Sequence, residues 1–218
     1  RYPDHLFLSA YAVRLDDATA ALVSSELAAF ITPQALITVR KDDGFDVDDL
    51  VKRWDDSPDL AVHGVSYLLH GLLDDLVDSH FAAVQSLDDQ IEQLQEDLFA
   101  EAGAGIEVQR RSFQLHKSLV LLRRVVLPMR EVVNSLMRRD IHLLDEEMTH
   151  YYQDVYDHVL RATEWTESLR DLVTTILETR LTIQGNRLNE IMKKLTGWAA
   201  IIAILTAVTG FYGQNVPY

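Results

Sequence analysis

The pattern of apolar and polar positions divides the chain into a long polar part and an uncharged C-terminal segment. From residue 195 onward no side chain is charged, and Lys193 and Lys194 stand directly before it. As a helix, residues 195–212 would cover about 27 Å, close to the roughly 30 Å of a bilayer core. Basic residues mark the cytoplasmic side of a span. The pattern therefore predicts one transmembrane helix over 195–212 in a cell membrane (plasma or inner), with residues 1–194 in the cytoplasm.

Apolar residues at helical spacing mark three further helical stretches. The first runs over residues 65–100. Gly103 and Gly105 then break the helical pattern, and the second stretch runs over residues 106–139. A third begins near residue 145 and enters the uncharged segment, which makes about 68 residues and roughly 100 Å if unbroken. A small domain cannot bury the apolar stripe of such a helix, so the pattern predicts bundling with copies of the same chain.

The N-terminal region has a different pattern. Residues 6–15 and 35–40 have strand-like composition, residues 22–30 are a candidate for another short element, and Ser57-Pro58 is expected to open a helical stretch. Together these patterns predict an α+β fold dominated by long helices. The predicted parts are the remainder of an α/β domain (1–57), a helical hairpin (58–144), a stalk helix (145–194), the transmembrane helix (195–212) and an outer loop (213–218).

Charge and composition narrow the range of possible functions. The net charge of −14 argues against nucleic acid as a partner, because phosphate binding needs a positive surface. The chain has no cysteine, which excludes disulfides and thiolate metal sites. No zinc motif, glycine-rich phosphate loop or catalytic triad is recognisable, so the sequence predicts a protein that is not an enzyme and has no cofactor. The hairpin is acidic before residue 101 and basic after residue 109, which favours pairing of its two helices.

Two groups of side chains could bind a divalent cation. Asp154, Asp157 and His158 lie within one helical turn and offer carboxylate and imidazole ligands. A second aspartate cluster consists of Asp74, Asp75 and Asp78. For both groups the alternative interpretation is an ordinary solvated helix face.

A periodic stripe crosses the uncharged segment on one helix face. It contains Asn189, Met192, Leu195 or Thr196, Ala199, Ala203, Thr206 and Gly210. A packing seam between helices would explain the small residues. A pore lining explains more, because an apolar constriction can gate by dewetting and Gly213, Gln214 and Asn215 would then form its outer mouth.

At these residues the chain resembles the CorA family of divalent-cation channels. The family signature Tyr-Gly-Met-Asn stands here as Tyr-Gly-Gln-Asn over residues 212–215. Segments similar to CorA sequences follow in the family's order, namely residues 67–81, 122–136, 154–160 and 186–196. Two departures stand out: Gln214 replaces the signature methionine, and Ala203-Ile204 replaces a Met-Pro pair in mid-helix.

The resemblance implies a homopentamer in the lipid bilayer that transports Mg²⁺, with Co²⁺ as a second candidate ion. By position the family's pore residues fall on the stripe and on Asn215. The regulatory Mg²⁺ sites between subunits would use Asp154 and an aspartate among Asp74 and Asp78, and Glu178 matches an acidic stalk position. The resemblance also implies further chain before Arg1 and a second transmembrane helix after Tyr218.

Three alternatives remain open on the sequence. The first is a Zn²⁺ transporter of the same architecture. The second is a membrane-anchored helical scaffold that transports nothing, for which the stripe residues would be interchangeable. The third is a soluble helical protein whose C-terminal helix is buried.

Overall fold

The computed structural model describes residues 5–99, 105–138 and 146–214. Within these ranges the chain forms a three-stranded sheet, four α-helices and two short 3₁₀ turns. The elements are β1 (Leu6–Asp16), β2 (Ala21–Ile31), β3 (Leu36–Arg40), α1 (Val47–Asp55), a 3₁₀ turn (Ala61–His63), α2 (Val65–Phe99), α3 (Gly105–Met137), a 3₁₀ turn (Glu146–Met148) and α4 (Thr149–Gly213). The predicted α+β fold with dominant long helices is confirmed.

The sheet is antiparallel in the order β1-β2-β3. Leu6 lies opposite Ile31, and Ile31 lies opposite Leu36. Alternate residues of β2 are buried, among them Leu27 and Ala29, as expected when one face of a sheet packs on a core. The element predicted over residues 22–30 is thus a full strand of 11 residues.

The sheet packs against one side of helix α2. Ser79 Oγ accepts a hydrogen bond from the backbone N–H of Val13 (3.2 Å), and His80 Nε2 lies 2.8 Å from the carbonyl oxygen of Tyr11. His80 is 1 % exposed, and burial lowers its pKa to about 4, so the ring is neutral and donates this bond. Two side-chain hydrogen bonds therefore fix β1 on α2.

Helix α3 holds the turn between β1 and β2. The Ser118 hydroxyl donates to the carbonyl oxygen of Ala20 (2.6 Å) and accepts from the N–H of Leu22 (3.3 Å). Ala20 has φ of 55°, a region that a residue with a Cβ rarely occupies. Because the buried hydroxyl bonds to both Ala20 and Leu22, it stabilises this turn conformation.

The hairpin of α2 and α3 contains most of the apolar core. Its fully buried side chains include Leu72, Leu76, Leu87, Leu94, Leu115, Leu119 and Val126. Arg111 of α3 and Asp97 of α2 form an ion pair of 2.6 Å, as the charge pattern predicted. The N-terminal part of α4 adds a third face through Tyr152, Val155 and Val159, all buried.

The region between the sheet and α2 differs from the prediction. The helical stretch expected to open at Ser57-Pro58 is wrong: these residues precede a turn and the 3₁₀ segment Ala61–His63. Gly64, with φ of 55°, separates that segment from α2. Helix α1 was not predicted; Asp46 caps it by accepting from the N–H groups of Asp48 and Asp49.

The chain divides into two compact units, Arg1–Thr174 and Thr175–Tyr218. The first unit contains the sheet, α1, α2, α3 and the start of α4. The described part of the second unit is the remainder of α4, in which every residue from 186 to 214 is exposed.

Candidate metal centre

Two aspartates of α2 and one histidine of α4 form a group that could bind a cation. Asp74 and Asp78 are one helical turn apart and therefore share a face of α2. One ligand atom from each of Asp74, Asp78 and His158 lies within 4.8 Å of the others. Asp74 and His158 are half-buried, whereas Asp78 is exposed. The group is therefore partly shielded by protein at Asp74 and His158 and open to solvent at Asp78.

The two aspartates of this group repel each other. Although Asp78 as a whole is exposed, partial loss of contact with water raises the pKa of its carboxyl first of all, and the negative charge of Asp74 raises it further. His158 and Arg53 act in the opposite direction but do not cancel the effect. A bound cation would relieve this repulsion, because it favours the ionised form of both carboxylates.

Asp75, the third aspartate of the sequence cluster, has another role. Its carboxylate forms an ion pair with Arg53 of α1. Tyr67 strengthens the same junction, since its hydroxyl donates to the carbonyl oxygen of Arg53 (3.3 Å). The side chain of Asp75 is therefore occupied in joining α1 to α2, and it is not one of the three clustered ligands.

Asp154, the predicted metal ligand on α4, lies one turn before His158. It is exposed and is not a member of the three-residue group. The charges of Asp74 and Asp154 both raise the pKa of His70, although burial outweighs them and leaves that pKa lowered. Asp154 therefore lies on the same side of α4 as the group, and its role as a ligand stays a prediction.

Aromatic side chains hold α4 against α2 around the group. The ring of His70 lies 5.6 Å from that of Tyr151 and 5.7 Å from that of Tyr152. Tyr152 is fully buried, and its hydroxyl donates to the carbonyl oxygen of Ser66 (2.9 Å). On the other side, Phe81 packs edge-on against His158 at 6.0 Å. These contacts fix the position of His158 relative to the two aspartates.

The ligand types fit a divalent cation. Carboxylate oxygens suit Mg²⁺, which keeps several water molecules and uses few protein ligands. An imidazole nitrogen is a ligand that Co²⁺ and Zn²⁺ accept more readily than Mg²⁺ does. Three side chains leave the remaining coordination positions for water or for ligands from another chain.

The sequence pattern did not connect His158 with the aspartates of α2. It grouped His158 with Asp157 and Asp154, whereas the described structure groups it with Asp74 and Asp78 across two helices. Asp157 instead accepts a hydrogen bond from the side-chain amide of Gln153 (3.1 Å). The signal that could have found the group is the four-residue spacing of Asp74 and Asp78, but the pairing of α2 with α4 could not be read from spacing.

Glu178 and the stripe residues lie on the later part of α4. Glu178 is exposed, and its backbone carbonyl accepts a hydrogen bond from the Thr182 hydroxyl (3.0 Å). The stripe members from Asn189 to Gly210 are all helical and all exposed. They recur at steps of three and four residues, which places them on one face. Their role as pore lining stays a prediction.

The uncharged segment has the character of a membrane span. Helix α4 contains an 18-residue window of mean hydropathy 1.7, none of which is buried within the chain. An added Cβ at Gly197 or Gly210 would meet nothing within 4 Å, so nothing in the described chain occupies the space beside them. This result contradicts the alternative of a C-terminal helix buried in a soluble core. At the predicted mouth Gly213 ends α4 and Gln214 follows it, whereas Asn215 lies outside the described residues.

Comparison with known proteins gives one consistent result. The family model described as "CorA-like Mg2+ transporter protein" matches residues 1–218. The cobalt/magnesium transport protein CorA of Thermotoga maritima is 39% identical over 152 residues, which is 70% of this chain and 43% of that protein. The protein of the same name from Methanocaldococcus jannaschii is 28% identical over 155 residues, or 71% of this chain and 48% of that protein. The chain thus spans about half the length of these relatives.

A solved structure gives the same answer for the fold. The complete structure of the CorA magnesium transporter from Methanocaldococcus jannaschii matches with a TM-score of 0.80 and 22% identity. The match covers 99% of this chain and 67% of that one. The fold, the uncharged helix and the match of the family model along the whole sequence agree, and the chain belongs to the CorA family.

Proposed function

We propose that the full-length protein is a channel of the CorA type that moves Mg²⁺ across a cell membrane. In this proposal copies of α4 surround the pore in a homopentamer, and cation binding in the cytoplasmic part controls opening. Co²⁺ is the second candidate for the transported ion. No catalytic group takes part, and the divalent cation is both the cargo and the regulator.

One observation carries the proposal. The single helix α4 contains His158, a member of the cation-binding group, and also the exposed uncharged segment that begins at residue 195. A membrane anchor alone would need the uncharged segment but not the group. A soluble metal-binding domain would need the group but not the segment. A channel regulated by its own cargo needs both.

The pore is proposed to select a hydrated ion. Mg²⁺ gives up its water reluctantly and prefers octahedral oxygen coordination. A ring of Asn215 side-chain carbonyls could hold the ion through its water shell, and Gln214 would add acceptors at the same mouth. Met192 and Leu195 would form the apolar constriction, while Thr206 and Gly210 leave room in the bore.

Regulation follows from the repulsion at the cation-binding group. A cation that binds Asp74 and Asp78 removes their mutual repulsion, and Asp154 would contribute from the same side of α4 toward a neighbouring subunit. High cytoplasmic cation would thus favour one arrangement of subunits, proposed to be the closed one. The equilibrium shifts only as far as the cation prefers that arrangement.

The pore assignment is tested by Mg²⁺ flux from the full-length protein in liposomes. We expect Asn215→Ala to reduce Mg²⁺ flux at least tenfold while the oligomer keeps its mass. Gln214→Met, which restores the family's residue, is the matched control and should keep flux within about twofold. Unchanged flux in Asn215→Ala would contradict the role of this residue as the selective mouth.

The regulatory assignment is tested by inhibition at millimolar internal Mg²⁺. We expect Asp154→Lys and the pair Asp74→Asn with Asp78→Asn to keep conducting at concentrations that close the unmodified channel. The matched control is Asp157→Asn, which lies one turn after Asp154 on α4 and outside the group. Mg²⁺ should inhibit this variant as it inhibits the unmodified channel. Normal inhibition in both test variants would remove these carboxylates from regulation without affecting the pore assignment.

The imidazole of His158 favours a second candidate, a transporter of the same architecture that prefers Zn²⁺ or Co²⁺. Competition of these ions against Mg²⁺ in the same liposomes separates the two. The scaffold alternative makes a different prediction, because Thr206→Leu and Gly210→Leu should then have no consequence. A channel should lose most of its flux in both variants.

A further inference from the structure

Helix α3 has a basic, partly apolar stripe that faces away from the core. Its members are Ile106, Arg110, Phe113, Lys117 and Arg124, called here the α3 stripe. Spacings of three, four and seven residues place them on one helix face. Ile106 is 84% exposed and Phe113 is 69% exposed, while the opposite face of α3 is buried through Leu115, Leu119 and Leu122.

This stripe is positive in a strongly negative chain. The whole sequence has a net charge of −14, yet the α3 stripe contains three cations and no carboxylate. Arg110 pairs with Glu107 on its own helix (2.6 Å). Lys117 and Arg124 are exposed and form no ion pair with the residues that the structure describes. Exposed apolar groups on the same face as two unpaired cations, Lys117 and Arg124, suit an acidic partner surface.

Helix α2 of the same hairpin has an acidic exposed face. Asp89, Glu92 and Glu96, called here the α2 stripe, recur at steps of three and four residues and are all exposed. None of the three forms an ion pair within the described ranges. One hairpin therefore has an acidic stripe on its first helix and a basic, partly apolar stripe on its second.

The two stripes also lie at matching levels along the hairpin. The ion pair of Arg111 with Asp97 sets the level of one antiparallel helix against the other. Lys117 lies six residues after Arg111 on α3. Because the helices are antiparallel, the residue at the same level on α2 lies six residues before Asp97, which is Ile91, next to Glu92. A rotation about an axis parallel to the hairpin keeps levels unchanged. Such a rotation would bring Lys117 of one copy opposite Glu92 of the next.

From this complementarity we infer that the α3 stripe binds the α2 stripe of a second copy of this chain. The contact is head to tail, since two different surfaces meet, and a head-to-tail contact forms a ring when its rotation closes, as in the proposed homo-oligomer. The inference rests on the proposed homo-oligomer and adds to it a named contact between cytoplasmic hairpins. Phe113 would be covered by the neighbouring α2, with Lys117 beside Glu92 and Arg110 near Glu96.

The test uses two full-length variants that differ in affinity tag, one with Lys117→Cys and one with Glu92→Cys. Residues 1–218 contain no cysteine, and any cysteine elsewhere in the full-length chain is replaced by serine, so a disulfide that links the two differently tagged chains joins the two introduced positions of two copies. After co-expression and oxidation with copper phenanthroline, we expect a disulfide to link the two differently tagged chains. The matched control pairs Lys117→Cys with Glu164→Cys, an exposed position on α4, and should link at least tenfold less.

A charge exchange gives a second, independent measurement. Lys117→Glu is expected to raise the rate of subunit exchange up to about fivefold, because an exposed ion pair contributes about 0–1 kcal/mol. Adding Glu92→Lys to the same chain should restore the original rate. If cross-links do not form and the exchange rate does not change while oligomer mass and Mg²⁺ flux stay normal, the hairpin contact is wrong and the proposed function stands. Loss of oligomer and flux in the unmodified protein would instead contradict the proposed function.

Discussion

The two ends of α4 have the same secondary structure and opposite surroundings. Near its start Tyr152, Val155, Val159 and Leu169 are buried at helical spacing, with polar residues between them. From residue 186 to residue 214 the helix continues without a break, and every residue is exposed. The backbone is equally regular in both parts, so backbone preference does not explain the difference.

The difference lies in which solvent each apolar pattern fits. An apolar stripe with polar residues around it suits a helix that packs on a core in water. Uncharged and mainly apolar residues on all sides, as in the segment from residue 195 onward, suit lipid, where the intrahelical hydrogen bonds satisfy the backbone. Burial within the chain therefore decides the energetics of the first part, and transfer into a membrane decides those of the second. A substitution in one part of α4 can therefore be checked against a matched substitution in the other.

The largest effect is expected for Tyr152→Ala. The side chain is fully buried between α2 and α4, and its hydroxyl bonds to the carbonyl oxygen of Ser66. Loss of a buried aromatic ring should lower the free energy of unfolding by about 4 kcal/mol. Tyr152→Phe removes only the hydrogen bond and should lower it by about 1 kcal/mol. Urea unfolding followed by near-UV circular dichroism measures both.

The control for this prediction is Tyr212→Ala, in the other part of α4. Tyr212 is 83% exposed, so the same deletion removes no contact from the core. The urea midpoint of the unit Arg1–Thr174 should not change. An equal loss of stability in the two variants would show that the two parts of α4 do not differ as described.

A charge in the uncharged segment should have the next largest effect. Leu205 lies in the middle of this segment and is 61% exposed. Leu205→Arg should make membrane insertion less favourable by about 3 kcal/mol, because an arginine in mid-span is poorly solvated by lipid. The fraction of chains that resists alkaline extraction from membranes should fall sharply. Leu181→Arg, at a site 68% exposed on the earlier part of α4, should be extracted no more than the unmodified chain.

His80 predicts a pH dependence of stability in the unit Arg1–Thr174. Its folded pKa of about 4 lies below the ordinary value of 6.5. The unfolded chain therefore binds more protons between these values, and stability falls as the pH drops from 6.5 towards 4. At pH 5 the loss relative to pH 7 should be about 2 kcal/mol. Below the folded pKa this residue contributes no further loss.

The measurement for His80 is the urea midpoint as a function of pH. His80→Gln keeps a hydrogen-bond donor near the carbonyl of Tyr11 but does not titrate, so this part of the pH dependence should disappear. His150→Gln, at an exposed histidine on α4, should keep it. Identical pH profiles for the His80 variant and the unmodified protein would contradict the assignment.

The sequence was most informative where a periodic pattern was long. The ends of α2 and α3 were placed within one or two residues, because many apolar positions at one spacing define a helix. Helix α1 was missed because it has only nine residues and a single buried side chain, Leu50, so no repeat could reveal it. The proline at residue 58 was read as a helix start, although proline fits a turn equally well.

The candidate cation group of Asp74, Asp78 and His158 was only partly predictable for a related reason. Spacing along one helix identified Asp74 and Asp78 as neighbours, because residues four apart share a face. The partner His158 comes from a helix some 80 residues away in sequence, and only tertiary packing through Tyr152 and Phe81 brings it close. A one-dimensional pattern contains no information about that pairing.

The smallest expected effect concerns two threonines with the same local hydrogen bond. Thr166 donates to the carbonyl oxygen of Ala162 (2.7 Å) and is 1% exposed. Thr206 donates to the carbonyl oxygen of Ile202 (2.8 Å) and is exposed in the uncharged segment. Both hydroxyls donate to a carbonyl in the preceding turn of α4, so the local hydrogen bonding of the two residues is the same.

Replacement by valine separates the two environments, since it exchanges the hydroxyl for a methyl group of similar size. Thr166→Val should lower the free energy of unfolding by about 1 kcal/mol, because a buried hydrogen bond is lost. Thr206→Val should leave the urea midpoint unchanged and reduce Mg²⁺ flux, since its hydroxyl is proposed to face a wet pore. A flux change with Thr166→Val and none with Thr206→Val would reverse the roles of the two parts of α4. It would also move the functional surface from the end of the helix to its beginning.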